Sequence, residues 1–338
     1  MTKAQTMEEP LQGKNRSTER KAEKAELEAY IPPYLRRFVT PYHGEFCYTR
    51  TYHHRLVAQL MMEGFLPIAT EGVILPKLHH DRCVIQLPHN LHISKSIRKK
   101  SKNFLFTVNR DFDRVVEACR KQHGSRCWLY PELVEVFRDI HDPEYVEAVI
   151  IPTCQGGTAL NCQTPVLDRQ ACPVRLYSIE VWNEKTGELV AGELGYTVGS
   201  IFTSLTGFTA HSGAGSVQLA ALGRLLCTLG FSMWDLGMDM DYKQSLGAHN
   251  IPRKEFVKHV HEVRAAKGHL VLPPSSASFN CRALIDQDVS VETLLASNAG
   301  QDKSDASAAK TQTQKSNGFH SPPRQPSSPE PERKKRKN

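Results

Sequence analysis

No apolar run in this chain approaches the roughly 20 residues that a membrane-crossing helix needs, so a soluble protein without a membrane partner is expected. There is also no C-x-x-C pair. The nine cysteines are an odd number without paired spacing, which argues against a disulfide framework. The N-terminus has no apolar segment either, and the expected setting is a reducing, cytoplasmic one. Cys154, Cys162 and Cys172 lie eight and ten residues apart, with His141 as a fourth candidate ligand. Structural zinc ligands usually come in tighter pairs, so zinc is the less favoured reading.

Two stretches lack core material. Residues 1–28 are charge-rich with almost no large apolar groups, and residues 297–338 are Ser, Gln, Lys and Pro without periodicity. Neither can offset its ordering entropy by burial, and both are expected to be disordered. The tail ends in RKKRK at Arg333–Lys337, which reads as a nuclear-localisation signal or nucleic-acid arm, or as a solvated tail. The net charge of +7 is modestly basic, and its local clusters matter more than the total.

What is there reads as an α+β protein. Tyr48–Glu63 places Leu56, Val57, Leu60 and Met61 on one helical face, with Gly64 at the cap. Short apolar runs at 65–68, 73–75 and 83–87 are expected to be strands crossing a small sheet. Ser94 can cap a short cationic helix, and Phe104–Val108 reads as a strand. Asp111 can cap a helix buried through Phe112, Val115, Val116 and Cys119, and Pro131 can open another. From His141 to Arg175 the pattern weakens into an insertion or linker, with only 146–151 strand-like. A hairpin follows at 176–198, turning at Gly187, and Ser200–Leu205 reads as the next strand.

Ser216–Arg253 organises the second half. Leu222, Leu225, Leu226 and Leu229 recur at helical spacing before Gly230, and Phe231–Leu236 reads as a core strand delivering Asp235 to its carboxyl end. Ligands of open sheets commonly sit there. A glycine- and aspartate-bearing loop and a Pro-started helix complete the stretch.

Four pieces in order resemble the leucyl/phenylalanyl-tRNA protein transferases. They are HISKSIRK with FTVNRDFDRVVEAC, the Trp128–Glu132 helix start, SIEVWNEKTGELVAGELGYTVGSIF, and SLGAHNIPRKEF. The resemblance implies a small N-terminal α+β domain, placed at 29–142, and a GNAT-like acyltransferase domain, placed at 176–272, with the insertion or linker at 143–175 between them and a mostly disordered basic Ser/Pro tail from 273. It implies aminoacyl-tRNA as donor, a protein with a basic N-terminal residue as acceptor, transfer of leucine or phenylalanine that tags the acceptor for degradation, and no cofactor. The chain departs from the family pattern at Leu205, where the family has an acidic residue, at Gly237, where it has glutamine, at Val217, where it has lysine, and at Leu75 and Pro76, where it has two tryptophans.

On that resemblance and its strand-end position Asp235 is the expected catalytic group, and His211 in the glycine-bearing loop is a candidate base by its own chemistry. Thr206, Met233, Met238, Asp239, Asp241, Ser245, Leu246 and Gly247 are the expected substrate contacts. Ser204 is a further hydroxyl donor, and Phe65 and Leu66 suit an apolar pocket by type. Lys95, Arg98, Lys99, Lys100, Lys102 and Arg253 are the expected tRNA contacts, since adjacent cations neutralise phosphates. The bland readings are a turn-capping aspartate, an exposed histidine, core packing for the apolar groups and a solvated cationic face. Two alternatives remain: a catalytically silent adaptor for RNA or peptide N-termini, and an acyltransferase using acyl-CoA, for which the glycine signature is incomplete.

Overall fold

The computed structural model describes residues 44–141, 151–153, 166–168, 174–264 and 270–295. The class is α+β, as expected. The helix His54–Met62 buries Val57, Leu60 and Met61, and Gly64 follows with φ +88°, a left-handed position that favours glycine. β1 (Leu66–Thr70) and β2 (Val73–Lys77) form a two-stranded antiparallel sheet of their own. β3 (Asp81–Gln86) leaves them for a larger sheet, which corrects the expectation of one small sheet. Its residues Arg82 to Ile85 are all buried, a pattern met by an interior strand covered on both faces.

The helix Lys95–Lys100 is capped by Ser94 Oγ, which accepts from the Ile97 N–H. After β4 (Phe104–Val108), Asp111 caps the helix Phe112–His123 by accepting from the Arg114 N–H, and the buried stripe is the expected one. The helix Pro131–His141 packs Leu133, Val134 and Phe137 inward. β5 (Ile151–Thr153) and β6 (Val166–Asp168) pair with each other. Cys154, Cys162 and Cys172 lie outside the described residues, as does most of the strand-like run at 146–151. His141 approaches the Leu176 carbonyl with Nδ1 and stacks on Phe112.

β7 (Arg175–Asn183), β8 (Leu189–Val198) and β9 (Ile201–Thr209) form an antiparallel meander. The helix Ala214–Thr228 then returns the chain so that β10 (Met233–Gly237) runs parallel to β9. β11 (His249–Pro252) pairs with β3, turning the expected loop around HNIP into an edge strand before the helix Arg253–Arg264. β12 (Ser278–Asn280) pairs with β4. Among the described residues the large sheet has the order β11-β3-β10-β9-β8-β7-β4-β12. Strands from before and after the expected insertion at 143–175 thus share one sheet.

Part of the stretch expected as tail from 273 forms helix and strand. β12 and the helix Cys281–Asp286 bury Phe279, Cys281, Leu284 and Ile285, and the helix Val291–Leu295 adds Leu294. This apolar run is too short and broken to register as an element in the sequence. Among the described residues no helix is long and apolar enough to cross a membrane.

The sheet separates two cores. One face packs Leu194, Tyr196 and Met233 against the helices at 54–62, 112–123, 131–141 and 253–264. The other packs Phe202, Trp234 and Leu236 against the helices at 214–228 and 281–286. Successive strand residues point to opposite faces, so polar groups on β8, β9 and β10 divide between the two.

Candidate active site

Asp235 sits in the middle of β10 and is 0% exposed. Its first oxygen accepts from Arg82 Nε and from the Gly237 N–H, and its second accepts from Arg82 Nη2 and Thr203 Oγ1, all at 2.8–2.9 Å. This is a bidentate, charge-assisted pair sealed between strands, with Arg82 itself 0% exposed. Burial alone would lower the proton affinity of Arg82, and the charge of Asp235 raises it above its ordinary value. The Arg82 guanidinium lies 4.5 Å from the Phe256 ring centroid, and its Nη1 has no hydrogen-bond partner. With both oxygens engaged and no exposure, Asp235 holds the strand end.

What it holds is an irregular strand end. The pairing of β10 with β3 shifts between Asp235 and Gly237, leaving Leu236 as the extra residue of a bulge. Gly237 adopts φ +72°, which a side chain would strain. The carbonyls on either side, of Leu236 and Met238, both accept from Lys243 Nζ, at 2.7 and 2.6 Å. The loop 238–245 is thereby pinned at two points. Asp239, Asp241, Tyr242 and Ser245 stand exposed along it, with Met238 at 53% and Met240 at 42% exposure. Asp239 accepts from Asn250 Nδ2 and Gln244 Nε2.

A second polar cluster occupies the other face, beneath the helix 214–228. Glu193 on β8 is 4% exposed and accepts from Ser204 Oγ at 2.7 Å. Ser204 Oγ in turn accepts from Trp234 Nε1 at 2.9 Å. Gln218 brings its carboxamide beside the same carboxyl, although its Nε2 forms no well-aligned hydrogen bond. Burial pushes the Glu193 carboxyl up to about 7, while Ser204, Gln218 and Lys243 act the other way. Burial lowers the proton affinity of Lys243, against the charges of Cys83, Asp235, Glu193 and Asp239. Cys83, whose thiol burial raises to about 11, points at Asp239. The pairing of β8 with β9 shifts beside this cluster, with Leu205 as the extra residue.

Glu193 is the functional candidate that the sequence reading missed. Its signal was a lone carboxylate in an otherwise apolar strand, AGELGYTV, where burial forces either pairing or an altered proton affinity.

The other expected residues scatter. His211 is exposed beyond the end of β9, and that strand carries the chain roughly 20 Å from Thr203 to Thr209 at about 3.3 Å per residue, so His211 and Asp235 are not brought together. Thr206 is half-buried in β9 opposite Leu194. Met233 and Leu246 are core residues, as are Phe65 and Leu66, so among the apolar candidates Met238 alone faces out. Gly247 has φ +96°, and a Cβ there would stand 1.7 Å from the Asn90 carbonyl oxygen, so its glycine serves close packing. Ser245 Oγ donates to the Tyr242 carbonyl.

Lys95, Lys99, Lys100 and Lys102 are exposed on the helix 95–100 and the turn after it. Arg98 pairs with Asp286 at 3.0 Å. The Arg253 guanidinium donates to the carbonyls of Gly44, Leu78 and His79, joining the helix 253–264 to the N-terminal segment. Leu205 packs on the first core and Val217 is buried in the second, so neither offers a polar group where the resemblance expects one.

The family model for leucyl/phenylalanyl-tRNA protein transferase matches residues 84–153 and 173–261, which takes in β10, the pinned loop and Glu193. A leucyl/phenylalanyl-tRNA–protein transferase of Desulforapulum autotrophicum is 27% identical over 213 residues, 61% of this chain and 79% of that protein. The protein of the same name from Azotobacter vinelandii is 29% identical over 180 residues, 52% of this chain and 66% of its own length. That from Nitrosomonas europaea is 25% identical over 210 residues, 61% and 75% of the two chains. The chain belongs to the leucyl/phenylalanyl-tRNA protein transferase family.

Proposed function

We propose that this protein moves leucine or phenylalanine from aminoacyl-tRNA to the N-terminal amine of proteins that begin with a basic residue, tagging them for degradation in the cytoplasm. The donor ester is already activated, so the protein need only align the amine, accept its proton and stabilise the oxyanion. No cofactor is called for. The observation that supports this best is the pinned loop at the end of β10. Asp235, Arg82 and Lys243 fix its backbone, while Asp239 and Asp241 stand exposed on it, suited to the cationic end of the acceptor. Exposed Met238 and Met240 offer apolar surface for the donor side chain. The lysines of 95–102 provide positive charge for the tRNA backbone. On this reading the GNAT-like acyltransferase unit is built on β7 to β11, with β3 and β4 from the preceding segment completing its sheet.

A second reading, an adaptor that binds RNA or peptide N-termini without transfer, draws on Leu205, Val217 and Gly237, which offer no polar side chain. One assay separates the two. Purified protein is incubated with leucyl- and phenylalanyl-tRNA and a peptide with N-terminal arginine, and the peptide is weighed by mass spectrometry. The transferase reading expects a gain of one leucine or phenylalanine residue. No gain, with tRNA binding retained, leaves the adaptor.

A further inference from the structure

Glu193 is a carboxyl in an unusual position. It lies between strands at 4% exposure, takes one hydroxyl hydrogen bond from Ser204, and has as its neighbouring cation Lys243, whose Nζ is already committed to two backbone carbonyls. A buried carboxyl with a full set of donors is a structural group, as Glu180 illustrates in the same sheet: it accepts from Thr107, Ser178 and the Asp111 N–H. Glu193 lacks such a set. The adjacent Gln218 Nε2 is also without a well-formed partner, so two buried polar side chains stand side by side with bonding capacity to spare.

The cluster borders the exposed loop. Burial raises the phenol of Tyr242, 51% exposed, and the charges of Glu193 and Cys83 add to this, so Tyr242 links the buried carboxyl to the solvent side of the loop. Gly192 next to Glu193 abuts Val115 on the opposite face, which confirms that Glu193 points under the helix 214–228. The titratable and charged groups around it are Lys243, Tyr242 and Asp239 from the loop and its short helix, Cys83 from β3, and Cys119 and His123 from the helix 112–123. His123 Nε2 lies 2.9 Å from the carbonyl of Gly207, the residue opposite Glu193. From the helix 214–228 the facing group is Gln218.

Resting on the aminoacyltransferase reading above, we propose that Glu193 is the catalytic proton acceptor of the transfer, with Ser204 and Gln218 orienting it. The acceptor's amine nitrogen attacks the ester carbonyl carbon and the C–N amide bond forms. The C–O bond to the terminal ribose oxygen breaks. The amine's proton passes to the Glu193 carboxylate and from there to the departing ribose oxygen, so the products are the extended peptide and tRNA with a free hydroxyl, and the carboxylate is regenerated. Its proton affinity near neutrality suits a group that must both take and return a proton.

The test compares wild type with Glu193→Gln, which keeps the size and can still accept from Ser204. Single-turnover transfer from leucyl- and phenylalanyl-tRNA to an N-terminal-arginine peptide is followed between pH 5.5 and 8.5, alongside tRNA binding. The expected result is a variant slower by about 100-fold above pH 7.5 with tRNA affinity unchanged. The ratio of the two rates, which cancels the peptide amine's own titration, should climb through about pH 7. A ratio near one, or one large but constant with pH, overturns the proposal while leaving the transferase reading intact. Absence of transfer by the wild type overturns both. Should Glu193→Gln fail to fold, Gln218→Leu replaces it, with the expectation of a shifted pH midpoint; an unshifted midpoint overturns the proposal.

Discussion

Glutamine at position 193 removes a titration and keeps a shape, so its effect on stability is governed by pH. In the folded chain burial pushes the Glu193 carboxyl up to about 7 from an ordinary value of 4.5. Below pH 4.5 the group is protonated whether the chain is folded or not, and pH changes nothing through it. Between the two values the unfolded chain gives up the proton and the folded chain keeps it, so stability falls as pH rises, by about 1.4 kcal/mol per unit. Over about 2.5 units the loss comes to ~3 kcal/mol, complete once pH exceeds the folded value. Glu193→Gln escapes that loss. Relative to wild type it should therefore be near neutral at pH 4.5 and more stable by ~2–3 kcal/mol at pH 8. Urea midpoints at the two pH values measure this, and the difference between the differences is the informative quantity, because a packing defect would appear equally at both. A gain at pH 8 of less than about 0.5 kcal/mol over that at pH 4.5 refutes the account of Glu193 as a buried, underpaired carboxyl.

Asp235→Ala strands the Arg82 guanidinium in the sheet and should cost ~3–5 kcal/mol in urea denaturation, with less than about 1 kcal/mol refuting the buried pair. Gly247→Ala puts a methyl group against the Asn90 carbonyl at a positive φ and should destabilise by more than about 2 kcal/mol, read from the same transition. Arg253→Ala removes the donor to the carbonyls of Gly44, Leu78 and His79, so a loss of ~2–3 kcal/mol of stability with tRNA affinity unchanged is expected; lost affinity with intact stability would restore it to the tRNA surface. Lys99→Glu, Lys100→Glu and Lys102→Glu together should weaken tRNA binding at least tenfold and flatten the dependence of log affinity on log salt by ~2–3, measured by filter binding.

The elements legible in the sequence were those whose signal is local. Ser94, Asp111 and Pro131 begin helices where their capping chemistry places them, and Gly64, Gly187 and Gly230 take the positive φ that their positions imply. What escaped was set by partners distant in sequence. β11 and β12 are short edge strands, recognisable only once β3 and β4 supply an edge to pair with. Arg82 is 153 residues from Asp235, and nothing local marks it as the group that takes up both carboxylate oxygens. Nor does anything local mark the carbonyls, 174 to 209 residues away, that the Arg253 guanidinium reaches.

The alternation of a strand accounts for the way the site itself divided. Asp235 and Trp234 are neighbours in sequence and so face opposite cores: one reaches Arg82 and Thr203, the other Ser204 and, through it, Glu193. The conspicuous aspartate falls on the face where Arg82 lies between it and Phe256 of the helix 253–264, and its charge is consumed in fixing the strand end. The less conspicuous glutamate falls on the face that continues into the exposed loop, with fewer donors and a proton affinity near neutrality. Both faces meet at Lys243, which bonds the carbonyls flanking Gly237 and lies within reach of both carboxylates' charge. Lys243→Met therefore couples the two clusters. It should loosen the loop and push the Glu193 carboxyl higher, shifting any activity that depends on its ionised form toward alkaline pH, and a pH profile left unmoved would show that the two faces act independently.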